Sequence, residues 1–270
     1  MRLSLKVDSS AFQVPSLVMH DFDIITTPRI TTFPFVQSTV FKDPTKQREL
    51  AILFIAKSQL CAQIEEILKA EYEVRMQRPP HMANVPNRML LYPKTCKETE
   101  SVERLDRQLV FWEASLPDIC TYRGPVELPD PRDPTVYVIL HQIILSLVHQ
   151  AVIATLHRPN AKATTRGNPA AASSSQLSNL RVVHATNSIA HMAADLGRLR
   201  LDGYLPSAAV TALLPAILTL ITQWRESNSD HARQELMRNI VYCRLALETL
   251  RQVYSSGEYG SHMIRVALGC

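Results

Sequence analysis

Nine histidines and five cysteines are the side chains of this 270-residue chain best suited to chemistry, and their spacing decides what they can do. His184 and His191 share a helix face, but seven residues rise about 10.5 Å, too far for both to ligate one ion. His141, His149 and His157 advance by eight, so each turns about 80° from the last and the rings spread apart. All are expected to be hydrogen-bonded or half-buried polar groups. Asp21-Phe22-Asp23 comes nearest to the paired carboxylates with which helical enzymes such as terpene cyclases hold magnesium. In an irregular segment it is expected to cap a turn or face water. Of Cys61, Cys96, Cys120, Cys243 and Cys270, no two lie closer than Cys96 and Cys120. That excludes a zinc or disulfide framework, places the chain in a reducing compartment, and makes Cys61 and Cys243, at apolar helical positions, buried free thiols. No G-x-S-x-G, Walker loop, G-x-G-x-x-G or H-E-x-x-H occurs. The expectation is therefore no enzyme, with no catalytic, cofactor-binding or metal-ligating residue and no cofactor.

Composition says what must hold these groups. Hydrophobic residues make up 46% and charged residues 20%, while only 7 glycines occur. This favours helices over turn-rich sheets, so the fold class is all-α, a multi-helix bundle with an irregular N-terminal arm. The net charge of +4 is scattered, too mild a bias for nucleic acid or an anionic membrane. Few aromatics interleave with basic residues, so a stacking platform for single strands is not indicated. The N-terminus lacks the apolar stretch of a signal peptide.

Prolines Pro15, Pro28 and Pro34 make residues 1–42 an extended arm. Asp43-Pro44 then caps a first helix, about 44–77, whose apolar stripe is Leu50, Leu53, Phe54, Cys61, Ile64 and Leu68, stopped by Pro79-Pro80. A second helix, about 99–116, carries Val102, Leu105, Leu109, Trp112 and Leu116 on one face, with Glu103, Arg104, Asp106, Arg107 and Glu113 opposite. Pro117 ends it, and Asp133-Pro134 opens a third, about 134–157.

No Asp, Glu, Lys or Arg occurs from Thr135 through His157, a length that would span a bilayer. Gln142, Ser146, His149 and Gln150 nevertheless draw one polar stripe down the cylinder, the mark of a helix buried in a bundle. Residues 160–175, small and polar, read as a flexible loop before a fourth helix, about 176–201, with Val182, Ile189, Met192, Leu196 and Leu199 inward. Gly203 to Trp224 reads as a core helix kinked or split at Pro215. The last helix steps through Leu236, Ile240, Cys243, Leu247, Leu250 and Tyr254, packs on the third and fifth, and closes at Gly257. The helical domain is thus 43–257, with 258–270 a weak tail.

The order of these pieces resembles a known family. Lys57-Ser58-Gln59-Leu60-Cys61 before Ile64, Leu105-Asp106-Arg107-Gln108-Leu109, Trp112-Glu113-Ala114-Ser115-Leu116-Pro117 and Leu156-His157-Arg158-Pro159 resemble the middle homology region of fungal zinc binuclear-cluster transcription factors. Gly203-Tyr204-Leu205-Pro206, Cys243-Arg244-Leu245, and Val14-Pro15-Ser16-Leu17 with Asp21-Phe22 are similar to its closing and opening parts. The resemblance implies a nuclear, all-helical regulatory domain controlling metabolic genes, secondary metabolism among them. Its implied partners are other regulator chains or co-regulators, a second copy included, and a small-molecule effector. The family's basic, cysteine-rich DNA-binding module has no counterpart in these residues, so a truncated or standalone regulator without DNA binding of its own is expected. The rival expectations are a helical small-molecule binder or enzyme and, only if residues 135–157 faced lipid, a membrane protein. For the motif residues themselves, Trp112, Leu116 and Pro117 are expected to seal a helix end, Arg158 to cap the third helix, and the Cys243 stripe to pack as core.

Overall fold

The computed structural model describes residues 2–3, 15–24, 43–77, 88–94, 99–124, 130, 133–161 and 169–269. Most of the expected arm, and Cys96 and Cys270, lie outside them. Seven α-helices run through the described residues: α1 (Pro44–Glu71), α2 (Thr99–Ser115), α3 (Thr135–Ala161), α4 (Pro169–Leu199), α5 (Ala209–Glu226), α6 (Asp230–Arg251) and α7 (Ser255–Leu268). The chain is all-α, with one small antiparallel sheet added.

The helix starts follow the caps. Asp43 accepts from the amides of Thr45 (2.9 Å) and Lys46 (3.2 Å), and Asp133 accepts from that of Thr135 (2.8 Å). The end of the first helix differs from expectation. After α1, Tyr72–Gln77 (β2) turns extended and pairs antiparallel with Arg88–Pro93 (β3), while Arg2–Leu3 (β1) pairs with the other edge of β2. Alternating Tyr72, Val74 and Met76 suit a strand, and Val74 is buried. The inward stripe of α1 is also rotated, to Leu53, Ala56, Leu60 and Ile67. Phe54 and Cys61 are exposed, which corrects the expected burial of that thiol. Phe54 instead takes the ring of Phe22 edge-on, centroids 6.0 Å apart, so the Asp21-Phe22 segment docks on α1. Asp21 caps its own turn by accepting from the Val18 amide (2.8 Å).

α3 continues through Arg158 and Pro159 to Ala161. Proline has no N–H, which leaves the Thr155 carbonyl without its helical donor, and the Tyr72 hydroxyl fills the gap at 2.6 Å. α4 begins at Pro169, so its first turns occupy residues expected in the loop, with proline at the position where a helix tolerates it best. Ser175 there donates to the Asn160 carbonyl (3.0 Å). Pro215 does not split α5, because the Thr211 carbonyl it frees lies on an exposed turn. Gly257 does not close α6. It lies inside α7, where an added Cβ would fall 2.6 Å from the Arg251 amide nitrogen, and Gly260 faces the Leu247 side chain. Both glycines allow α7 to cross α6 closely.

Two apolar cores result. One joins α1, α2 and Cys120 to Leu145, Val152, Ile153 and Leu156 of α3. The other joins Leu140, Ile143 and Leu147 of α3 to α4, α5, α6 and Ile264 of α7. Among the described residues α3 is the only helix with a large share in both, which explains why it carries apolar residues nearly all round. It is long and apolar enough to cross a membrane by length and composition, yet it packs against α1, α2, α4 and α5. Leu247 and Cys243 are fully buried, as the last-helix stripe requires, and α6 packs chiefly on α5, α4 and α7, in the core that Leu140, Ile143 and Leu147 of α3 share.

Candidate functional site

α3 and α4 run antiparallel, bringing His157 opposite Ser178, and α2 crosses them there. His157 Nε2 donates to Asp106 Oδ1 at 3.0 Å, Ser178 Oγ lies 3.2 Å from His157 Nδ1, and Arg181 donates to Asp106 Oδ2 at 2.9 Å. The order serine, histidine, carboxylate is that of hydrolase triads. Ser178 and His157 are only 2% and 3% exposed, however, and the second Asp106 oxygen is held by Arg181. A substrate carbonyl has no route to Ser178 Oγ in this arrangement, so the three side chains act as a clasp joining α2, α3 and α4. Burial alone would raise the Asp106 carboxyl, but its bonds to His157 and Arg181 prevail and hold it below the ordinary carboxylate value.

About two helical turns along the same junction a cleft of about 400 Å³ opens, walled by α2, residues 120–124, α3 and α4. Its wall on α3 is the polar stripe. Gln142 donates to the Ile119 carbonyl (2.8 Å) and fixes the neighbouring turn, while Ser146, His149 and Gln150 line the opening. The His149 ring leans on Trp112, centroids 5.1 Å apart, and its Nδ1 lies 3.6 Å from Glu113 Oε1. Burial pulls the His149 imidazole below its usual value, against the opposing pull of Glu113. Across the cleft Tyr122 donates to Asp195 (2.9 Å), which also takes Arg198 (3.0 Å), and burial beside that carboxylate raises the phenol. Three lining side chains hold buried polar atoms with no partner: Trp112 Nε1, His149 Nε2 and Gln150 Oε1.

A second cavity of about 830 Å³ lies between α3, α4 and α5, with Arg158, Ala172, Asn179, Leu214, Pro215 and Glu226 in its wall. None of its lining side chains among the described residues carries such an unsatisfied atom. Arg158 faces this cavity and the Tyr72 phenol instead of closing the helix end, since α3 runs on past it. Among the described residues no three His, Cys, Asp or Glu side chains gather to hold a metal ion. His141, His149 and His157 diverge as their eight-residue step requires, His184 is exposed, and His191 reaches the rim of the cleft.

No protein-family model matches the chain, and no solved structure does. Among curated proteins, the cutinase transcription factor 1 beta of Fusarium vanettenii is 31% identical over 99% of this chain and 31% of its own length. A transcription factor of Fusarium pseudograminearum is 27% identical over 98% of the chain and 30% of its own length. The transcription factor cpaR of Aspergillus oryzae is 26% identical over 98% and 43%. This chain is a relative of fungal transcription factors. It spans less than half the length of each of these relatives.

That relationship agrees with the resemblance drawn from the motifs, and the fold explains why those short pieces occur together. Asp106 of the L-D-R-Q-L piece and His157 of the L-H-R-P piece are bonded to each other, while Pro159 of the latter creates the carbonyl that Tyr72 fills. Trp112 and Leu116 of the W-x-x-x-L-P piece wall the cleft instead of only sealing a helix end. The sequence placed Asp106 on the charged outer face of its helix and passed over Ser178. The visible signal for the cleft was the Gln142, Ser146, His149 and Gln150 stripe, which marked a helix facing something polar without naming it.

Proposed function

We propose that this chain is a regulatory region of the fungal transcription-factor type, nuclear, non-enzymatic and without DNA binding of its own. It controls metabolic genes by passing an effector or partner signal to other regulator chains or co-regulators. The observation that carries this reading is the cleft at the α2–α3–α4 junction, which joins a wall of side chains from one core to the helix shared by both. A ligand there touches α2 and α4 at once, and a shift of either is felt across α3. The names of the relatives support the transcriptional role, and the enclosed position of Ser178 speaks against hydrolysis.

The test is to tether the whole chain to a foreign DNA-binding domain in a fungal reporter strain. The expected outcome is altered reporter output from a nuclear, folded fusion, and loss of that effect when Ser146→Leu fills the cleft without unfolding the chain. A folded, nuclear fusion that leaves several reporters unchanged, with and without metabolite extracts, would sink the reading. The alternative, a helical small-molecule binder working outside transcription, shares the same cleft and would be left standing by that result.

A further inference from the structure

The larger cavity, of about 830 Å³ between α3, α4 and α5, carries a charge that is unmet among the described residues. Arg158 stands half-buried in its wall. Among the described residues no carboxylate pairs with the guanidinium and no oxygen accepts from it. The group that acts on it is the Tyr72 phenol, which donates its own proton to the Thr155 carbonyl. Burial pulls the guanidinium below its usual value, yet arginine stays protonated in such places, so the positive charge is permanent. None of its nitrogens is both unpaired and walled off from solvent, so its donors are reachable from the cavity that it lines. The rest of the wall makes little competing demand. Thr219 and Thr222 donate back to the Pro215 and Leu218 carbonyls at 2.9 Å each, and Ser175 donates to that of Asn160. Val182, Leu214, Pro215 and Leu218 supply apolar surface. Glu226 stands exposed at the end of α5, where water screens it, and forms no ion pair with Arg158. Asn179 follows the Ser178 that faces His157, which puts it level with Arg158, and its amide has no partner among the described residues.

We propose that this cavity binds a small organic acid, its carboxylate accepting from the Arg158 guanidinium and its apolar body lying against α5. The planar fork of a guanidinium matches the two oxygens of a carboxylate, and the Asn179 amide adds a further donor at the same level. One fixed positive charge with a carboxylate at the rim favours a monoanion over a phosphate dianion. The volume of about 830 Å³ lies within the range of small-ligand pockets, roughly 300–1,000 Å³. This is a second site, and the proposal does not depend on the reading of the junction cleft.

Benzoate and benzamide share one ring and differ in carboxylate against amide. At constant ionic strength, benzoate is expected to shift the Arg158 Nε–H resonance of the ¹⁵N-labelled full chain saturably, the signal being assigned by its loss in Arg158→Met. Benzamide should bind at least about tenfold more weakly, a difference of about 1.4 kcal/mol. Arg158→Met keeps most of the side-chain stem and removes the charge, while Ala172→Trp plugs the cavity mouth from an exposed position. Each should weaken benzoate by about tenfold or more in calorimetric titration, with the thermal transition retained. An Arg158 signal unmoved by benzoate at about 50 mM, well above the ~1 mM scale of weak binding, would overturn the proposal, as would equal binding of benzamide. Inorganic phosphate binding more tightly than benzoate would overturn it too, by making the site one for a simple anion. The comparison of ligands on the unaltered chain decides even if both variants unfold. The tethered reporter reads the junction cleft, so failure of benzoate binding leaves the transcriptional reading standing, and a silent reporter leaves this site standing.

Discussion

Two single side chains carry more structural weight than their motifs suggest. Tyr72 is the first residue after α1, and its hydroxyl satisfies the one α3 carbonyl that Pro159 leaves open. Burial pushes its phenol up to about 12, so it stays a neutral donor through the physiological range. Tyr72→Phe should lower stability by about 1–3 kcal/mol, the cost of a buried acceptor left unpaired, measured by urea denaturation. Asp106 makes a different kind of demand. Its carboxyl is held below the ordinary value, so the stability it adds is present above the unfolded-state value near 4 and is lost as pH falls through the lower folded-state value. Asp106→Asn should cost about 1.5–3 kcal/mol at pH 7, and its deficit relative to the unaltered chain should shrink as pH falls from neutral to below about 4. A deficit constant across that range would show that the bonds to His157 and Arg181 do not depend on charge. Neither role was legible in the sequence, because each depends on a partner more than fifty positions away.

At the scale of elements, local signals were readable and long-range ones were not. Caps at Asp43 and Asp133, the α2 stripe and the α6 stripe all follow from neighbours a few residues apart, and the structure keeps them. The end of α1 is different. Tyr72 to Gln77 can continue a helix as well as form a strand, and only pairing with residues 88–93 and 2–3 selects the strand. The facing of α1 was misjudged for a related reason: Phe54 looks like a core residue until Phe22 provides it with an outside partner. The α6–α7 corner illustrates a third case, in which glycine scarcity carried the signal. Gly257 looked like a helix terminator, yet it is needed because α7 crosses the backbone of Leu250 and Arg251 too closely for any Cβ. Gly257→Ala must move backbone and is expected to displace α7 altogether, seen as a lowered melting temperature and new protease cleavage within 255–268. Leu247→Ala, in the core beneath that corner, leaves backbone in place and should cost about 2–5 kcal/mol through the cavity it opens. Gly257→Ala with unchanged melting temperature and cleavage pattern would show that the corner yields more readily than its geometry allows.

The whole molecule is organised around a helix that belongs to both of its cores. Had α1–α2 and α4–α7 been joined by a linker, either half could open while the other stayed closed. Because Leu145, Val152 and Leu156 are buried on one side and Ile143 and Leu147 on the other, exposing either set strips half the packing from the same backbone. The amide protons of α3 should therefore exchange with deuterated solvent only through global opening, with protection free energies equal to the full unfolding free energy along most of residues 138–156. Those of α2 and α7, each touching one core, should exchange through smaller openings. If α3 amides exchanged in two groups with separate free energies, the halves would be independent cooperative units. Occupation of the junction cleft should then be readable at a distance, as slower exchange in α5 and α6, neither of which lines it.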